Sequence, residues 1–150
     1  MTTALITGAS SGIGAEYSRR LAARGHNLVL VARATEHLES LATELRSAHA
    51  VDIEVITADL TDNVQLEQVV QRLQNGPFID ILVNNAGAGL AGGFAEAESA
   101  KMQNLLQLNV VAPTLLASAA VKAMVRESRG KVTDVDLHSI KIPYLLLSSV

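Results

Sequence analysis

Residues Thr7-Gly8-Ala9-Ser10-Ser11-Gly12-Ile13-Gly14 follow an apolar run at 4–7 and open a segment in which Ile13, Tyr17 and Leu21 recur at intervals of four. A strand is therefore predicted to end, and a helix to begin, inside this octet. At such a bend, main-chain N–H groups and the positive end of the helix dipole point at one spot, an arrangement suited to phosphate. Gly8 permits the tight turn, Gly12 lets the backbone approach a diphosphate with no Cβ in the way, and Gly14 allows the helix to pack closely on the sheet. Ser10 and Ser11 add hydroxyl donors. A plain glycine-rich turn would not need that strand-to-helix setting. No Lys-Ser/Thr pair follows the last glycine, which argues against a P-loop and against kinase or GTPase chemistry.

Working outward, Gly25 stands where a left-handed helix cap is wanted, and Asn27–Ala32 is a continuous apolar run fit for a strand covered on both faces. Leu38, Leu41, Ala42 and Leu45 follow the i, i+3, i+4, i+7 rule of an amphipathic helix, and Ile53–Thr57 reads as the third strand. The segment 62–74 places Leu66, Val69, Val70 and Leu73 on one face and stops at Gly76-Pro77. A fourth strand is predicted at 79–83, a Gly/Ala-rich loop at 87–93, a long helix at about 99–126 and a fifth strand at 130–135. Strands alternating with helices through short connectors imply parallel βαβ units. The expected fold class is therefore α/β, a doubly wound parallel sheet of Rossmann type, incomplete at the C-terminal side.

The chain has 150 residues, 49% of them hydrophobic, so one core is well supplied and a second large domain has no room. A single domain is expected over 1–150. The net charge of −3 gives no basic excess, so nucleic acid is not an expected partner. There is no cysteine, which excludes disulfides, thiolate metal sites and a cysteine nucleophile. His26, His37, His49 and His138 show no metal-ligand spacing, so no metal site is expected. The longest apolar stretch, 110–121, is broken by Pro113, Thr114 and Ser118 and reads as too short to span a bilayer. With no signal-like segment at the start, a cytoplasmic protein without membrane partners is expected.

The pattern T-G-x-x-x-G-x-G at 7–14 resembles the cofactor signature of the short-chain dehydrogenase/reductase family. Asn84-Asn85-Ala86-Gly87 resembles its N-N-A-G motif, and Asp59-Leu60 resembles its adenine-contacting pair. The similarity runs from about residue 3 to 131, with 132–150 a divergent tail. It implies a nicotinamide cofactor held by Gly8, Ser10, Ser11, Gly12, Ile13, Gly14, Asp59, Leu60, Asn85, Ala86 and Gly87. At the end of the second strand stand Ala32 and Arg33. A free ribose 2′-hydroxyl would want an acid there and a 2′-phosphate an arginine, so NADP(H) is expected over NAD(H).

Pro113 follows Asn109 by four and lacks the N–H that would reach its carbonyl. In the family an asparagine at this place holds a water linked to the catalytic lysine, which the resemblance implies for Asn109. A kinked, buried helix with Asn109 satisfied internally is the other reading. Met102, Leu105, Leu106, Val110 and Leu116 make this helix apolar on more than one side, which suits core packing or a homo-oligomer contact.

Family enzymes also need a serine after the fifth strand and Y-x-x-x-K. Here Asp136 and Leu137 stand at the serine positions, Ser139 is the nearest serine, and Tyr144 is followed four residues later by Ser148, with Lys141 at the wrong spacing. The apolar tail 142–150 reads as a replaced or truncated ending. The resemblance thus implies an NADP-dependent oxidoreductase of an alcohol/carbonyl pair whose activity is in doubt. A non-catalytic nucleotide-binding fragment or interaction module is the other reading.

Overall fold

A computed structural model describes residues 1–90 and 94–135. Asp136, Leu137, Ser139, Lys141, Tyr144 and Ser148, which stand where the family's serine and Y-x-x-x-K are missing, the tail, and positions 91–93 of the predicted loop lie outside them.

The elements run β1 (Thr3–Thr7), α1 (Gly12–Ala23), β2 (Asn27–Ala32), α2 (Thr35–Ala48), β3 (Ile53–Thr57), α3 (Asn63–Asn75) and β4 (Ile81–Asn84). A 3-10 turn (Phe94–Glu96), α4 (Ser99–Leu106), α5 (Ala112–Glu127) and β5 (Lys131–Asp134) complete them. The five strands form one parallel sheet in the order β3-β2-β1-β4-β5. This is the doubly wound Rossmann-type arrangement that the alternation predicted. Because all strands point the same way, Thr7, Ala32, Thr57, Asn84 and Asp134 end on one edge. Chain order reverses between β1 and β4, which opens a crevice at that edge.

Side chains alternate across the sheet, as a pleat requires. Ala4, Ile6, Leu28, Leu30 and Val83 pack with Leu38, Leu41, Ala42 and Leu45 of α2 and with Ala15, Leu21 and Ala22 of α1. Leu5, Val29, Val31 and Leu82 point the other way, onto Leu66, Val69, Val70 and Leu73 of α3 and Leu116, Ala119, Ala120 and Met124 of α5. Each fully buried leucine or isoleucine contributes about 1.5–3 kcal/mol.

Three expectations need correction. Ile13 does not lie on the buried face of α1: it is 44% exposed, while Gly14, Ala15, Ser18, Leu21 and Ala22 are buried. The helix lies so close to the sheet that only small residues fit beneath its first turn. Secondly, Leu106 and Val110 are 60% and 53% exposed, and the buried residues of the long helix all lie in α5, on one side of it. Thirdly, Ser99–Glu127 is continuous over 29 residues and, by length and composition alone, is long and apolar enough to cross a membrane. The expectation that no segment reaches that length does not hold, because Pro113 does not break the helix. A π-helical segment, Gln107–Val111, absorbs it: the Ala112 N–H reaches back five residues to the Gln107 carbonyl.

Below the sheet's opposite edge, buried Asp80 joins three parts of the chain. Its Oδ2 accepts the Thr3 N–H at 2.8 Å, and its Oδ1 accepts from Arg129, whose guanidinium lies 4.4 Å from the Phe78 ring centroid. Asp80→Ala strands the amide of Thr3 and is expected to cost about 2–3 kcal/mol by denaturant unfolding, with Asp80→Asn costing less. A loss under about 0.5 kcal/mol in the alanine variant would contradict this role.

Candidate functional site

The crevice is built from Thr7 outward. Its buried hydroxyl oxygen accepts the N–H groups of Asn85 and Ala86, each at 3.0 Å, and donates to the Val83 carbonyl at 3.4 Å. The Asn85 amide returns across the gap and donates to the carbonyls of Thr7 (3.0 Å) and Gly8 (3.2 Å). The loop after β4 is thereby stitched to the bend after β1.

Gly8 has φ +65°, and a Cβ there would stand 2.8 Å from Asn85 Nδ2 and 2.9 Å from Ala86 Cα. A Cβ on Gly14 would come within 2.3 Å of the Gly8 carbonyl oxygen. Gly12 differs: with φ +54°, nothing stands within 4 Å of where its Cβ would be. Ser11 is the N-cap of α1 yet makes no side-chain cap bond, so the first N–H groups of the helix are not taken by it. An open glycine and an uncapped helix start side by side fit a diphosphate.

A cleft of about 780 Å³ lies over this bend. Gly8, Ser10, Ser11, Gly12 and Ile13 line one wall, Arg33 and Asp59 with Leu60 another, and Asn85, Ala86 and Gly87 a third. Of the predicted cofactor residues only Gly14 is absent from the lining, because it is buried behind Gly8. Val31, Ala32, Ala34, Ala58, Thr61 and Leu108 also line it. Among these, Leu108 was not singled out from the sequence, although it stands at helical spacing with Ala112 and Leu116 and packs on the same core cluster.

On the same wall as Arg33, the Asp59 carboxyl is held below the usual carboxylate range. The Thr61 hydroxyl and amide donate to it, and the Arg33 charge adds to the effect against partial burial. The stability this contributes is present above the ordinary carboxylate range and is lost as pH falls through the lowered value.

Asn109 does not line the cleft. Its amide pairs with the main chain of Ala88, Oδ1 accepting the Ala88 N–H at 3.0 Å and Nδ2 donating to the Ala88 carbonyl at 2.7 Å. Buried Asn84 donates to the Pro113 carbonyl (3.2 Å) and to Asp134 Oδ1 (2.9 Å), while its own Oδ1 has no partner among the described residues. Among those residues no group of three His, Asp or Glu could hold a metal ion.

The short chain dehydrogenase family model matches residues 2–142. A bulky-bulky ketone specific alcohol dehydrogenase from Comamonas testosteroni is 46% identical, with a TM-score of 0.88 over 89% of this chain and 54% of its own. A short-chain dehydrogenase from Sphingobium yanoikuyae in complex with NADPH is 44% identical, with a TM-score of 0.88 over 89% of this chain and 53% of its own. Human 17-beta-hydroxysteroid dehydrogenase type 3 is 34% identical over 97% of this chain and 47% of its own length. The chain thus spans about half the length of these relatives. Since the family pattern extends through nearly every described element and not the glycine bend alone, the chain belongs to the short chain dehydrogenase family of oxidoreductases.

Proposed function

We propose that the cleft binds NADP(H) and that the protein this chain represents transfers hydride within an alcohol/carbonyl pair. The observation that carries the reading is the cleft itself, which is open over Gly12 and is lined further along by Arg33 and Asp59. In this reading Ser10, Ser11 and the first amides of α1 hold the diphosphate, with Gly8 and Gly14 shaping the bend. Arg33 receives the 2′-phosphate, Asp59 and Leu60 receive the adenine, and Asn85, Ala86 and Gly87 border the ribose and nicotinamide end. NADPH, when bound, supplies the hydride. The NADPH complex of the Sphingobium relative and the ketone specificity of the Comamonas relative favour the same assignment.

Asn109 is the residue of this chain we assign to the proton path, through its main-chain carbonyl, since its side chain is committed to Ala88. The carbonyl faces no N–H at position 113, which is proline. Asp136 and Leu137 stand where the family pattern has a serine, and that favours a second reading: nucleotide binding without turnover.

Calorimetric titration with NADPH and NADH, followed by assay on a panel of carbonyl compounds, separates the two. Binding with turnover supports the first reading and binding alone the second. Arg33→Ala is expected to weaken NADPH by about tenfold to a hundredfold, the worth of a charged phosphate contact, and to leave NADH nearly unchanged. Equal loss for both nucleotides, or none for either, would remove the NADP assignment.

A further inference from the structure

The stretch that closes α3 reads Gln74-Asn75-Gly76-Pro77, and Asn75-Gly76 is the one Asn-Gly pair in the sequence. Packing demands the glycine. The Arg72 side chain lies across the turn, and a Cβ on Gly76 would stand 2.5 Å from Arg72 Nη1 and 2.7 Å from the Arg72 carbonyl oxygen. Arg72 is itself held at both ends and is only 14% exposed: Nε donates to the Glu54 carboxylate of β3 at 2.9 and 3.1 Å, and Nη1 donates to the Pro77 carbonyl at 2.8 Å. An asparagine followed by glycine is chemically labile, because no Cβ shields the glycine nitrogen from the carboxamide one residue back. Two hydrogen bonds keep the reacting groups apart in the folded chain. The Gly76 N–H donates to the Arg72 carbonyl at 3.1 Å, and Nδ2 of exposed Asn75 donates to Gln71 Oε1, which turns the carboxamide back along the helix.

We propose that Asn75-Gly76 is a latent deamidation site and that Arg72 is the residue that holds it shut. While Arg72 spans Glu54 and Pro77, the Gly76 nitrogen stays in the last turn of α3, out of reach of Asn75 Cγ. When the turn opens, that nitrogen attacks Cγ: a C–N bond forms, the Cγ–Nδ2 bond breaks, and Nδ2 leaves as ammonia with the Gly76 proton. Water then opens the five-membered imide at either carbonyl, giving aspartate or isoaspartate, with no oxidant or reductant involved. The reaction needs this turn alone to open, the local unfolding to which exposed helix ends are most prone.

The product disturbs the place that formed it. A carboxylate at residue 75 adds negative charge to the end of α3, where the helix dipole is already negative, and gives up the donor to Gln71. Isoaspartate also lengthens the main chain by one carbon and carries Pro77 away from Arg72. Leu73 and Ile79, each 3% exposed, flank the turn, so the change reaches the core between α3 and the sheet. Conversion at residue 75 therefore records how firmly the end of α3 stays docked on β3.

The experiment incubates the chain in mildly alkaline buffer and follows residue 75 by peptide mass mapping, with isoaspartate and released ammonia measured and thermal unfolding recorded for each variant. Folded wild type is expected to convert at least about tenfold more slowly than the same chain in urea. Arg72→Ala is expected to raise the folded-state rate by about tenfold, and Arg72→Lys, which keeps a charge beside Glu54 and loses the fork that also reaches Pro77, by about threefold. Asn75→Gln, which would need a larger ring, stops the conversion. Thr7→Val loosens the opposite edge of the sheet and controls for a general loss of stability, so its rate stays within about twofold of wild type. If folded wild type converts as fast as the chain in urea, or neither Arg72 variant is faster than wild type, or Thr7→Val accelerates conversion as much as Arg72→Ala does, the role of Arg72 is overturned. If residue 75 stays asparagine even in urea, the site itself is.

Discussion

Gly14→Ala is expected to lower stability by about 3 kcal/mol or more and to abolish nucleotide binding, although alanine is the better helix former by about 1 kcal/mol. The added Cβ would lie 2.3 Å from the Gly8 carbonyl oxygen and 2.4 Å from Asn85 Nδ2, far inside any real carbon contact. Neither neighbour yields cheaply, because one is backbone in a positive-φ turn and the other is an amide already giving protons to two carbonyls. Nor can α1 withdraw, since Ser18, Leu21 and Ala22 are buried along the same face. The methyl group must therefore push the bend apart, and with it the amides proposed to hold the diphosphate. Gly89→Ala is the control: nothing lies within 4 Å of its Cβ, and the change is expected to be neutral within about 0.5 kcal/mol. Denaturant midpoints for both variants, with NADPH titration, read the difference. A Gly14→Ala protein as stable as wild type would mean that α1 does not sit against the Gly8 carbonyl.

The contrast between Gly14 and Ile13 shows what a sequence discloses about such a bend. Leu38, Leu41, Ala42 and Leu45 of α2, and Leu66, Val69, Val70 and Leu73 of α3, are buried as their spacing predicts, because these helices bury side chains against a sheet at ordinary distance. At the first turn of α1 the packing is backbone to backbone, so of the period Ile13, Tyr17 and Leu21 only Leu21 is buried, and Ile13 lies on the cleft instead. The bend itself was legible because glycine at three fixed places has few other uses. Arg33 and Asp59 could be placed for the same kind of reason, since each follows the end of a strand that must finish on the shared edge.

What stayed hidden depended on contacts between distant segments. Pro113 announced a disturbed helix, but not that a π-helical turn would hold the helix together, and no local pattern said that Leu108 lines the cleft. Nor does any local pattern say that the Asn109 side chain spends both halves of its amide on Ala88. Thr61 was passed over because a threonine after Asp-Leu has no signature until its two donors are seen on one oxygen.

Thr7→Val is the second large effect expected, and it tests whether the edge of the sheet is held by one hydroxyl. Valine has nearly the shape of threonine and a higher preference for strands, so burial and backbone argue for no loss at all. The hydroxyl is saturated, however: it accepts from Asn85 and Ala86 and donates to Val83. Its removal leaves two amides without an acceptor beside a buried methyl group. At about 1–3 kcal/mol for each stranded donor, an expected loss of about 2–4 kcal/mol outweighs the gain in strand preference. Thr7→Ser keeps the acceptor and loses only a methyl, for about 1 kcal/mol. The two variants therefore separate hydrogen bonding from packing at one position. Because Asn85 and Ala86 also line the cleft, the valine variant is expected to lose nucleotide affinity in step with stability. Saturating NADPH at a hundred times its Kd should restore about 2.7 kcal/mol by mass action if the cleft can still form. A valine variant with wild-type stability would show that the loop after β4 is held by the Asn85 side chain and does not depend on Thr7.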